Sequence, residues 1–355
     1  MRSYVYGLMT DEISGPQAVP GNIILSCLAC LYRGLLFCRE LFFRSGIFPS
    51  YRLSRPVISV GNITVGGSGK TPLIATIAEH LQAGQSRPVV LMRGYGGVQQ
   101  PDKTVDNDES LLLGEILNNV PVLVGKDRWA KAREFLKDRT ADVFLLDDGF
   151  QHRRLQRDLD IVVIDAANPF GNAKLLPRGI LREPLAALSR ADIFVLTRTD
   201  IGRDRLFGLK EQIRRINPEA PVLETVHSPQ YFEDLRTGDR LDLAGFRGAA
   251  AGMFCSIGHP EAFQKALQEL GLNVKAACPF PDHHWYSAAD IRRLNDLCQE
   301  AGADILMTTA KDAVKLNNNK HMFNEHIKVY VLQIKLKVVQ GEHELFSRID
   351  RLLHR

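Results

Sequence analysis

A chain of 355 residues with 45% hydrophobic side chains holds material for about two packed globular domains. The formal net charge of +4 is too small to point to nucleic acid, and none is expected as a partner. Six scattered cysteines, Cys27, Cys30, Cys38, Cys255, Cys278 and Cys298, lack the spacing of a disulfide framework and suit a reducing compartment.

The first distinctive segment is 22–48, rich in Ile, Leu and Phe. Cys27-x-x-Cys30 falls in it without a second pair, so buried or lipid-facing thiols are expected there and not a redox or zinc site. The unbroken apolar run from Ile23 to Tyr32 is ten residues long, against the ~20 of a transmembrane helix. Arg33, Glu40 and Arg44 share one helical face, with Arg39 at its edge. Leu35, Leu36, Phe37, Leu41, Phe42 and Phe43 cover most of the rest. This pattern predicts a helix lying on an anionic leaflet. A signal peptide fits poorly, because the run starts late and no small-x-small cleavage site follows. A core helix of a soluble protein is the plainer alternative.

Pro56-Val57-Ile58-Ser59-Val60 then predicts a buried strand, and Leu73 to Leu81 has helical periodicity. Between them lies a glycine-rich loop ending in Thr64, Val65, Gly66, Gly67, Ser68, Gly69, Lys70 and Thr71. Strand, glycine loop, Gly-Lys-Thr and helix form a phosphate-binding P-loop. Its amides cradle a polyphosphate at a helix N-terminus, Lys70 reaches the outer phosphates, and the Thr71 hydroxyl ligates Mg²⁺. Pro72 suits the first helical turn. One departure stands out: Thr64 replaces the usual first glycine.

Downstream, Pro88 to Met92 predicts a strand that leads into Arg93-Gly94-Tyr95-Gly96-Gly97. Arg93, at a strand end, reads equally as a phosphate contact or a structural arginine. Asp106-Asn107-Asp108-Glu109 precedes a helical segment and reads as a cap. After a short strand at 121–124 and a helix from Arg128, Val143-Phe144-Leu145-Leu146-Asp147-Asp148 is a Walker-B-like strand. Its carboxylates fall about 75 residues after the P-loop, where they can hold Mg²⁺. Strands at 161–164 and 193–196 complete a parallel pattern. Between them, the loop 176–184 offers Arg178 and Arg182 to an anionic substrate.

From Ser228 to Phe246, two short alternating runs around Arg236-Thr237-Gly238-Asp239 predict a β-ribbon. Strands and helices then alternate through a smaller α/β lobe to a terminal amphipathic helix, 342–353. The lobe carries Asp282-His283-His284 and Thr308-Thr309-Ala310-Lys311-Asp312. The adjacent histidines cannot easily face one metal ion.

Taken in order, several motifs form one set: Val60-Gly61-Asn62-Ile63-Thr64-Val65-Gly66-Gly67-Ser68-Gly69-Lys70-Thr71-Pro72, Arg93 to Gly97, Asp147-Asp148-Gly149-Phe150-Gln151-His152, Leu181-Arg182-Glu183-Pro184, Asp282-His283 and Lys311-Asp312-Ala313-Val314-Lys315. The set resembles the tetraacyldisaccharide 4′-kinases, the lipid-A 4′-kinases of Gram-negative bacteria, over nearly the whole chain. The resemblance implies a membrane-bound kinase at the cytoplasmic face of the inner membrane. It would use ATP and Mg²⁺ to phosphorylate the 4′-hydroxyl of a tetraacylated disaccharide 1-phosphate, giving lipid IV-A. It further implies Asp108 as the catalytic aspartate, Glu109 beside it near Mg²⁺, and His283 as its partner alongside Lys70. Thr71, Asp147 and Asp148 would complete the metal region, with Gln151 and His152 in the same cleft. Arg128 and Arg182 match its substrate site. Asn107, where glycine is expected, and Ala310, where an acid is common, depart from the family pattern.

The expected fold is therefore an α/β P-loop core at 49–227, a ribbon at 228–246 and a smaller α/β lobe at 247–355, preceded by a membrane-associated helix within 1–48. A monomer is expected, with the lipid disaccharide and an anionic membrane surface (through 22–48) as partners. A membrane-associated P-loop ATPase switch is the rival. Many such proteins carry an extra lysine just before the glycines, and Val65 stands there instead.

Overall fold

The computed structural model describes residues 2–94, 108–117, 119–316 and 319–353, with backbone alone for 2, 3 and 108–110. Helix α1 (Arg2–Met9) folds back on α2 (Val19–Arg44), where Leu8, Ala18 and Leu25 bury one another beside Ile13. One face of α2, with Ala29, Tyr32 and Leu36 at helical spacing, packs on the core of the nucleotide domain. The opposite face leaves Ile23, Ile24, Leu28, Leu31, Leu35, Phe37 and Leu41 exposed. The segment Pro16–Arg44 is long and apolar enough to cross a membrane, with an 18-residue window of mean hydropathy 1.6 that is 11% buried. Two of its charges do not face outward as the sequence pattern suggests. Arg39 turns in to Glu183 at 2.6 Å and Glu40 to Arg153 at 2.7 Å, while Arg33 and Arg44 stay exposed.

The nucleotide domain is built from β1 (Val57–Gly61), α3 (Lys70–Ala83), β2 (Pro88–Met92), β3 (Val122–Val124), β4 (Val143–Asp147), β5 (Leu159–Asp165) and β6 (Ile193–Thr197), with the start of β7 (Val222–Asp234). Strand order is β7-β6-β5-β1-β4-β2-β3, parallel throughout. Strands β1, β2, β4, β5 and β6 are buried along their whole length. That is why they read as unbroken apolar runs and not as alternation. From β1 the chain moves outward to β2 and β3, returns in β4 beside β1, and then builds the other side with β5, β6 and β7. This reversal opens a crevice at the carboxyl ends of β1 and β4.

Helix α4 (Asp108–Ile116) follows β2 in sequence, α5 (Arg128–Asp138) follows β3, and α6 (Leu206–Ile216) leads into β7. Strand β8 (Arg240–Leu241) folds back antiparallel on the end of β7, with Phe232 opposite Leu241 and Glu233 opposite Arg240. The turn is fixed by the Asp234 carboxylate, which accepts from the amides of Arg236 (2.8 Å) and Thr237 (3.1 Å).

The chain divides into two compact units, with boundaries inside β7 at Val226 and inside β12 (Lys328–Gln340) at Leu336. The second unit holds α4, β9 (Ala250–Cys255), α7 (Pro260–Glu269), β10 (Asn273–Pro279), α8 (Ala288–Ala301), β11 (Ile305–Thr309) and α9 (Ala310–Leu316). Its sheet order is β10-β9-β11-β12, again parallel. A Ser287–Asp290 capping box starts α8. The expected C-terminal lobe, 247–355, needs correction at its end. Residues 336–355, with α10 (Glu342–Leu353), belong to the nucleotide unit. There Asp350 meets His80 of α3 at 2.8 Å, and Phe346 stacks on the same ring at 4.0 Å.

Candidate functional site

Strand β1 can deliver the phosphate loop because its last residue has no side chain. A Cβ on Gly61 would lie 2.6 Å from the backbone nitrogen of Phe150, so β1 and the loop after β4 touch backbone to backbone. The Phe150 ring is wholly buried in the same core. The loop then pairs with a remote segment. Val65 N–H donates to Ile180 O (2.9 Å), Arg182 N–H donates to Ile63 O (2.7 Å), and Thr64 bridges Leu181. Thr64 therefore sits in strand-like backbone, where a side chain costs nothing and glycine is not needed.

Two side chains outside the sequence-derived set hold the loop from within. Asn62 donates to Ser68 Oγ (3.0 Å), and Thr197, at the end of β6, donates to Ser68 O (2.9 Å). Gln151, assigned to substrate from the sequence, donates its amide to Asn62 O at 2.8 Å and so also braces the loop. Gly69 takes the left-handed φ of 89° that turns the chain into α3. The amides of the first turn of α3 and Lys70 then stand at a helix N-terminus.

Strand β4 ends beside this turn with Asp147 buried and Asp148 in a left-handed turn. Arg182 grips both oxygens of Asp148, at 2.9 and 2.7 Å, and Lys70 stands 3.5 Å away. Burial alone would raise the Asp148 carboxyl, but Lys70, Arg182 and Arg128 together hold it below the usual carboxylate range. Arg128 is buried in the first turn of α5, which Asp127 caps through the Ala130 amide at 3.0 Å. Burial, with Arg128 and Arg157 nearby, pushes the His152 imidazole down to about 4, so it is neutral at physiological pH. The result is a crevice with more cationic than anionic side chains, suited to a polyphosphate.

The remaining sequence-derived residues are placed as follows. Arg93 is exposed just past β2. Arg178, offered with Arg182 as an anion ligand, turns the other way and binds Leu8 O (2.9 Å) and Asp11 (2.6 Å), tying down the N-terminal segment. Asp108 and Glu109 begin α4, while Tyr95 to Asn107 lie outside the described residues. In the second unit His283 has a left-handed φ of 62° and lies 3.7 Å from Asp282, which also accepts from Lys311 at 3.1 Å. His284 pairs instead with Asp290 at 3.1 Å, so the two histidines serve different partners. Beneath them, the quoted Lys311-to-Lys315 motif hides a feature the sequence reading did not assign. Asp312 and Lys315 pair at 3.0 Å with both side chains fully buried. The same carboxylate also accepts from Ser256, Tyr286 (2.9 Å) and Thr309 (2.6 Å). The only signal for it is an opposite-charge pair at helical i,i+3 spacing within apolar sequence.

A parallel sheet with a Gly-Lys-Thr loop at its switch point and an acid pair on the neighbouring strand defines a P-loop nucleotide-binding protein. The tetraacyldisaccharide-1-P 4′-kinase (LpxK) family model matches residues 21–354, and the chain belongs to that family. It is 35% identical to the tetraacyldisaccharide 4′-kinase of Halothermothrix orenii, over 99% of this chain and 98% of that one. It is 38% identical to the enzyme of Syntrophus aciditrophicus, over 86% and 87%. The crystal structure of LpxK from Aquifex aeolicus in complex with ATP superposes with a TM-score of 0.72 at 29% identity, covering 94% of this chain and 99% of that one.

Proposed function

We propose that the chain transfers the γ-phosphate of ATP to the 4′-hydroxyl of a tetraacylated disaccharide 1-phosphate, giving lipid IV-A for lipid A. The observation that carries this is the Lys70–Asp148–Arg182 cluster at the P-loop, in a chain of this kinase family. Phosphoryl transfer asks a protein mainly for positioning and charge neutralisation. The loop amides from Thr64 to Thr71, with Lys70, hold the outer phosphates. Arg93, Arg128, Arg182 and His152 line the approach of the acceptor, and Gln151 keeps the loop in place.

Thr71, Asp147 and Asp148, with Glu109, would hold Mg²⁺. These are hard oxygen donors. That fits a cation that completes its shell with water and phosphate. The chemistry supplied there would be neutralisation of phosphate charge. Asp108 accepts the proton of the 4′-hydroxyl, and His283 tunes it by hydrogen bonding.

The second half of the reading is the membrane. Each buried CH₂ holds an acyl chain in the bilayer by about 0.8 kcal/mol, so the enzyme must come to its substrate at the cytoplasmic face of the inner membrane. Helix α2, about 39 Å long at roughly 1.5 Å per residue, has the length to cross a core of about 30 Å. Its middle is packed on the nucleotide unit through Ala29, Tyr32 and Leu36, which favours a helix lying in one leaflet by its exposed apolar side.

With γ-labelled ATP and the lipid disaccharide in mixed micelles, label should appear in the lipid. ADP formed at the same rate without acceptor, and no labelled lipid, would instead mark an ATPase switch. Asp108→Asn should lower kcat by about 10²–10⁴-fold; unchanged turnover removes its role as base. Unchanged kcat and pH profile in His283→Ala remove the dyad alone.

A further inference from the structure

The side of α2 turned away from lipid carries more than an apolar seam. Three of its polar side chains end on the two loops that build the phosphate cluster. The Tyr32 hydroxyl donates to the carbonyl of Arg182 at 2.9 Å, and the guanidinium of that same residue holds Asp148 beside Lys70. Arg39 reaches Glu183 at 2.6 Å. Glu183 is nearly buried and gives its second oxygen to Arg190 at 2.6 Å. The Arg190 guanidinium lies 4.3 Å over the ring of Phe150, two residues past Asp148, where the chain presses on Gly61. Glu40 holds Arg153 at 2.7 Å, at the far end of that same loop.

Anchoring alone does not call for this arrangement. Ala29, Tyr32 and Leu36 already seat α2 on the apolar core, and burial of such area is the cheaper way to hold a helix. The Arg39–Glu183 and Glu40–Arg153 pairs are half-buried; such pairs return little net stability, but they demand one geometry. Here that geometry joins α2 to 181–190 and to 148–153.

We propose that Tyr32, Arg39 and Glu40 are positioning residues, through which the lipid-facing helix sets the place of Arg182 and so of the Asp148–Lys70 pair. The helix that meets the membrane is then the helix that poises the ATP site. This rests on reading the Lys70 cluster as the ATP site and α2 as the membrane helix.

The test uses the full-length chain with Tyr32→Phe, Arg39→Met and Arg39→Lys. Binding of Mg-ATP is titrated without lipid, so the outcome does not depend on phosphotransfer to the disaccharide, and kcat and KM for both substrates are measured in mixed micelles. In Arg39→Met, ATP affinity and kcat should fall on the order of tenfold, since small misplacements at a reacting centre are costly. Vesicle binding and Tm should stay near wild type, and Arg39→Lys should recover most of the loss. Tyr32→Phe, which removes one hydroxyl, should shift the same quantities in the same direction and serves if Arg39→Met fails to fold. ATP affinity and kcat at wild-type values in both variants overturn the proposal. So does a loss confined to vesicle binding, which would make the contacts a tether. Failure of the wild-type chain to label the lipid, with the ATP-affinity shift intact, would count against the function reading and leave the coupling standing.

Discussion

The two units each contain an acid and a lysine in close contact, and the pairs have opposite characters. Asp312 and Lys315 lie 3.0 Å apart with no exposed surface, and Ser256, Tyr286 and Thr309 fill the remaining acceptor sites of the carboxylate. A carboxylate with that many donors has no capacity left for a ligand. Asp148 and Lys70 stand 3.5 Å apart with 17% and 12% of their side chains exposed, and Arg182 adds a second cation. Two cations face that one carboxylate. A pair closed on itself fastens a fold, whereas a pair left cationic beside open loop amides awaits an anion.

The sharpest break of this contrast is at the closed pair. Lys315→Met strands a buried carboxylate and should destabilise the protein by about 3–5 kcal/mol, read as a shift in the denaturant midpoint. Adding Asp312→Leu should return only part of that loss, because it removes the stranded charge but leaves the Ser256, Tyr286 and Thr309 donors without their acceptor. An unshifted midpoint in the single variant would place Lys315 in the same class as Lys70.

Lys70→Met should do the reverse. Losing one cation aimed at the transferring phosphate costs on the order of 10²–10³-fold in kcat, while stability moves by less than about 1 kcal/mol. Turnover kept at the expense of folding would abolish the distinction between the pairs.

The contrast also marks what the sequence could convey. Lys70, Thr71 and the Asp147–Asp148 pair were legible because strand, glycine loop and helix lie within a short stretch, and buried parallel strands are continuous apolar runs. What stayed hidden depends on partners far along the chain. Thr64 looks like a missing glycine until Leu181 is seen bridging it. Arg178 and Arg182 share one loop and look alike, yet the fold points one at Asp11 and the other at Asp148. Arg39 and Glu40 look like part of a solvated charged face until Glu183 and Arg153 arrive opposite them. Periodicity found α10 but could not assign it to the unit of His80. The roles proposed for Asp108 and His283 rest on resemblance, because nothing local sets a capping acid or an Asp-His pair apart.

The smallest expected effect tests how far the cationic surplus of the P-loop region extends. Burial and the neighbouring Arg128 and Arg157 bring His152 to about 4 from its ordinary 6.5. An unfolded chain takes up a proton on this imidazole near 6.5, while the folded chain refuses it until about 4. Across that window the unfolded state binds more protons, so stability from this residue is present above 6.5, declines as pH falls, and is lost once both states are protonated below about 4. His152→Gln, neutral throughout, should flatten the fall in denaturant midpoint between those two pH values, with little change above them. Arg128→Met should flatten it in part, because one of the depressing charges is gone. A wild-type slope in His152→Gln would mean that the surplus stops short of residue 152. The open site would then shrink to Lys70, Arg182 and the acids they hold, and His152 would no longer count among the groups that face the acceptor.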